Sequence, residues 1–89
     1  MEFAMGERLI DGFVVRATTE PEEDGAAFYE PAFRVRKAGE EYEHPHVWYA
    51  TAQDIEKQSK EEALAIAEKW LERLEEVTWQ GDDWNLRGI

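Results

Sequence analysis

The clearest periodicity in the chain is helical. Ala63, Ala67, Trp70, Leu74 and Val77 recur at steps of four, three, four and three, and Ile66 and Leu71 widen the stripe into an apolar face. Glu68, Lys69, Glu72, Arg73, Glu75 and Glu76 form the opposite face. Ahead of the stripe, Ser59-Lys60-Glu61-Glu62 has the form of a capping box, in which the Ser59 hydroxyl accepts from a backbone N–H three residues on and Glu62 reaches back. Glu61 and Glu62 also suit the positive end of the helix dipole. The pattern predicts a helix over 60–77. Glu75 and Glu76 are unfavourable in a last turn, so its C-terminal end is expected to fray.

Upstream the period shortens to two, as in strands with one buried face. A first strand is expected over 9–19, with Phe13, Val15 and Ala17 opposed to Val14, Arg16 and Thr18. A second is expected over 27–37, with Phe33 and Val35 opposed to Arg34 and Arg36. Pro31 falls within it and requires an edge or a bulge, because it has no N–H to donate. A third is expected over 46–52, where Val47, Tyr49 and Thr51 alternate with Trp48, Ala50 and Ala52. Charged, Pro- and Gly-bearing segments at 19–25 and 38–41 separate the strands.

These elements predict an α+β fold: a three-stranded antiparallel sheet, one C-terminal amphipathic helix packed on one face (β-β-β-α), and an aromatic tail. A single domain is expected over 1–89, with 1–8 frayed, a body over 9–77 and the tail over 78–89. The tail holds Trp79, Trp84, Leu86 and Ile89 around Gly81-Asp82-Asp83. It is expected either to fold back on the body or to meet a partner chain. In the second case its deletion removes partner capture and leaves helix and sheet standing.

Composition narrows the function. The 89 residues include 21 acidic and 10 basic side chains, a formal net charge of −11. Affinity for nucleic acid comes mainly from Lys and Arg on phosphates, so nucleic acid is disfavoured as a partner, as is an anionic membrane. No apolar run approaches the ~20 residues of a membrane span. The amino terminus has no basic start and no long apolar stretch, so no signal peptide is expected and a cytoplasmic location is. The absence of cysteine excludes disulfides, thiol catalysis and thiolate metal sites.

The segment Leu9-Ile10-Asp11-Gly12-Phe13-Val14-Val15 resembles the opening strand of small bacterial domains of unassigned function. The stretch from Ser59 to Leu71, with Glu61-Glu62-Ala63 and Trp70-Leu71, resembles their closing helix. The β-β-β-α order is similar to HicB-like antitoxin domains and, more distantly, to double-stranded RNA-binding domains. The resemblance covers 9–77 and implies a small α+β fold, without carrying over any catalytic or binding residue. The antitoxin likeness implies an acidic domain seated on the basic site of a toxin nuclease. The RNA-binding likeness departs at the helix start, where Lys60 stands alone beside Glu61 and Glu62.

Three constellations bear on chemistry. His44 and His46 are two apart and share a side of an extended chain with Tyr42; they are weak metal candidates lacking a third ligand, so no metal and no cofactor is expected. Arg16, Arg34 and Arg36, with Tyr49, offer an arginine and aromatic platform for an anion or nucleic acid, or else pair with Glu20, Glu30 or Glu43. Trp79, Trp84, Leu86 and Ile89 are the candidate partner-binding residues, since aromatic anchors dominate binding surfaces. The only serine, Ser59, is explained as an N-cap, and the carboxylate runs have no nucleophile spaced beside them. The expected function is therefore a non-enzymatic binding or regulatory module acting on a protein, with a second copy of itself as one candidate. The alternatives are a nucleic-acid-binding module and an antitoxin-like inhibitor of a basic partner.

Overall fold

The computed structural model describes residues 6–21, 28–49 and 58–88. Its first feature is a turn. Asp11 and Gly12 both have positive φ, 53° and 83°, and join β1 (Glu7–Ile10) to β2 (Phe13–Pro21) as a two-residue hairpin. Two successive left-handed residues match the right-handed twist of paired strands, and Asp-Gly supplies them at low steric cost. The expected first strand over 9–19 is thus two strands, and the sheet has four among the described residues.

β2 pairs with β3 (Tyr29–Lys37), which pairs with the short β4 (Trp48–Tyr49), so the antiparallel order is β1-β2-β3-β4. The third expected strand shrinks to those two residues, and 50–52 lie outside the described residues. The alternation places Val15, Ala17, Phe33 and Val35 inward, all buried, while Arg16, Arg34 and Arg36 face outward. Pro31 is buried and opposite Thr19. Its neighbours Tyr29 and Val35, of the same parity, direct their backbone bonds away from β2, to Gln58 and His44. The missing Pro31 N–H therefore costs the β2–β3 ladder nothing.

Helix α1 (Lys60–Arg73) packs on the inner face with Ala63, Ala67 and Leu71 buried. The capping box is present: Ser59 Oγ accepts from Glu62 N at 3.2 Å, and Ser59 N donates to Glu62 Oε1 at 3.3 Å. The helix stops at Arg73, short of the expected 77, and Leu74 is extended at the C-cap. Arg8 caps this end from β1, donating Nη1 to the carbonyls of Leu71 and Leu74. A cation there satisfies orphan carbonyls and opposes the dipole.

The tail is a hairpin of its own. β5 (Glu76–Trp79) pairs with β6 (Trp84–Arg87) in a separate two-stranded sheet. Val77 and Trp84, at 3% and 5% exposure, join Ile10, Val15, Phe33, Leu71 and Leu74 in the core. The tail therefore folds on its own body. Gly88, at φ 109°, lies against the Arg73 carbonyl where a Cβ would not fit. Asp11 locks the two hairpins together, its Oδ2 accepting from Val77 N at 2.9 Å.

Candidate binding cleft

The segment 38–47, between β3 and β4, is held at several points. Ala38 N donates to Gly12 O at 2.9 Å, Arg36 Nη1 to Glu40 O at 3.1 Å, and His44 N to Val35 O at 2.7 Å. Glu43 folds onto the outer sheet face, where Arg16 donates Nε to Oε2 at 2.9 Å and Nη2 to Oε1 at 3.0 Å. These bonds hold the Glu43 carboxyl below the usual carboxylate range, against the opposing effect of its partial burial, and push the Arg16 guanidinium up.

With Glu43 fixed, its neighbours turn toward the tail hairpin. The His44 ring lies 4.4 Å from Trp79 and 5.2 Å from Trp84, and Trp79 lies 4.8 Å from Trp84. Phe13 meets Trp84 edge-on at 5.4 Å. His44 Nδ1 accepts from His46 N at 3.0 Å, which leaves the neutral ring's proton on Nε2. His46 Nε2 donates to Asp83 Oδ1 at 3.0 Å, and Trp84 Nε1 donates to His46 O at 2.8 Å. Loop and hairpin thus support each other.

Between them opens a cleft of about 230 Å³, walled by Phe13, Tyr42, His44, Pro45 and Trp79. Lys37 and Glu40 also line it. Tyr42 is 71% exposed, the most exposed large apolar side chain among the described residues. A neighbouring depression of about 240 Å³ lies beside His46, Trp48, Tyr49 and Asp83. A wider, more open one of about 490 Å³ lies on the outer face beside Leu9, Val14 and Arg36.

The other sequence candidates fall into place around this. Arg16 and Arg34 stand opposite one another in the β2–β3 register, and Tyr49 shares their face beside Ala32. Each arginine already faces a carboxylate: Arg16 with Glu43, Arg34 with Glu20 at 3.0 Å, and Arg36 with Glu7 at 4.0 Å. Pairing is the geometry found, with Glu7 in place of the expected Glu30. Trp84 is turned into the core, Trp79 and Leu86 are half-buried, and Ile89 lies outside the described residues. Of the tail candidates, Trp79 reaches the cleft. His44 and His46 converge on Trp79, but no group of three or more His, Asp or Glu among the described residues is placed to hold a metal ion. Sequence reasoning missed Phe13, Glu40 and Pro45 as cleft residues. The available signal was the same-side spacing of Tyr42, His44 and His46.

Among the described residues no helix is long and apolar enough to cross a membrane. Compared with protein-family models, curated proteins and solved structures, the chain has no match.

Proposed function

We propose that this chain is a small acidic, non-enzymatic module that binds a protein partner through the cleft between the 38–47 segment and the tail hairpin. The observation that carries this reading is Tyr42, 71% exposed yet followed directly by Glu43 and His44, both fixed to the body. A large aromatic held out by an anchored loop loses little conformational entropy on binding and offers a pre-formed anchor. The His46–Asp83 pair has the form of an acid–base dyad, but Ser59 is engaged at the helix cap and stands in the role expected for it. The nucleic-acid alternative finds no support in the outer face, where all three arginines are paired.

The test is a photo-crosslinking amino acid placed at position 42 and, separately, at exposed position 65 on the helix. Position 42 is expected to trap a protein from the source cells, position 65 is not, and Pro45→Glu is expected to abolish the trapping. Equal trapping from both positions, or trapping indifferent to Pro45→Glu, contradicts the proposal.

A further inference from the structure

The partner's chemistry can be narrowed, resting on the cleft being the protein-binding surface. We infer that the cleft receives the guanidinium of an arginine from a basic segment of the partner.

Size comes first. At about 230 Å³ the cleft is smaller than the roughly 300–1,000 Å³ of small-molecule and cofactor sites, and suits a single long side chain. Its walls come next. Trp79, Tyr42 and Phe13 present aromatic rings, whose negative faces attract cations, Trp most strongly. A planar, weakly hydrated guanidinium stacks on such rings better than a compact ammonium does.

Charge then favours the cleft over the arginine-bearing strands of the outer sheet face. There the carboxylates of Glu7, Glu20 and Glu43 are spent on the protein's own arginines. Glu40 lines the cleft wall with no ion pair among the described residues, and with Glu41 it also edges the outer-face depression. A net charge of −11 adds long-range attraction for a basic segment. Lys37 also lines the cleft and opposes a cation. It makes a signed prediction: removing its charge strengthens binding.

The experiment titrates the full chain calorimetrically with a blocked peptide of alternating arginine and alanine, and with the same peptide carrying citrulline, a neutral isostere. The arginine peptide is expected to bind and the citrulline peptide to bind at least ten-fold more weakly. Tyr42→Ala and Glu40→Gln should each weaken binding about three- to ten-fold, and Lys37→Gln should tighten it. Glu72→Gln, a charge loss on the exposed helix back, should leave it within two-fold. Circular dichroism confirms that each variant is folded; all four sites are exposed. Undiminished citrulline binding, no effect of Tyr42→Ala, or equal losses from Glu40→Gln and Glu72→Gln would overturn the inference. If the arginine peptide fails while position 42 still traps a protein, the arginine inference falls and the cleft stands. If both fail, both fall.

Discussion

The Arg16 guanidinium grips the Glu43 carboxylate with two parallel hydrogen bonds, 2.9 and 3.0 Å long, across 27 positions of sequence. The pair joins the second strand to the segment that carries Tyr42 and His44. It relieves a repulsion as well. Arg16 stands directly opposite Arg34, a like-charge arrangement that destabilises a ladder unless counter-charges intervene. Glu43 and Glu20 supply them.

Glu43→Gln should weaken stability near neutral pH by about 0.5 kcal/mol, and by at most about 1, because the pair is partly solvated. The sign with pH follows from the lowered pKa of Glu43. Its contribution is complete above the unfolded carboxyl range and disappears as pH falls through the lowered folded value. Urea midpoints of wild type and variant across an acid series should therefore differ at neutral pH and converge in acid. A constant difference at all pH values contradicts this role.

Trp84 carries the tail into the core, the first of the two arrangements that its sequence left open. Trp84→Ala should cost about 3–5 kcal/mol. Trp84→Phe should cost less but still about 1–3 kcal/mol, since the His46 carbonyl loses the indole donor. Removal of 78–89 should destabilise helix and sheet together, seen as loss of a cooperative thermal transition. A truncated chain melting like the whole one would contradict the packing of Trp84.

Asp11 has two separable roles, its φ of 53° and its acceptance from Val77 N. Asp11→Asn should be nearly neutral, since Asn tolerates the left-handed region and retains an acceptor. Asp11→Gly should lose only the hydrogen bond, and Asp11→Ala should lose both, at about 1–3 kcal/mol. Denaturant unfolding in that rank order supports the two roles.

The strand faces, the helix stripe and its capping box were legible because each follows from local periodicity and one short motif. The hairpin at Asp11-Gly12 was legible in principle, since Asp-Gly between apolar residues is a strong turn signal. It was overrun by the longer alternation on both sides. The end of α1 was obscured because Leu74 and Val77 continue the stripe while belonging to the cap and to β5. What stops the helix there includes Arg8, 63 positions away from Leu71, and no window on the sequence contains both. The cleft was hidden for the same reason: Phe13, Tyr42 and Trp79 meet only once two hairpins and a loop are in place.

The outer arginines give a negative prediction. With each guanidinium facing a carboxylate, the chain should show no salt-dependent binding to duplex DNA or RNA by fluorescence anisotropy, even at low ionic strength. Binding that steepens as salt falls, and that Arg34→Glu removes, would restore the nucleic-acid alternative.

The most direct measurement of the central claim is a two-dimensional NMR titration of the full chain with the arginine peptide. Shifts should concentrate on Phe13, Glu40, Tyr42, His44 and the Trp79 indole, leaving Glu68 and Glu72 on the helix back unmoved. Shifts spread over the acidic surface, or centred on the helix back, would contradict the cleft as the binding site.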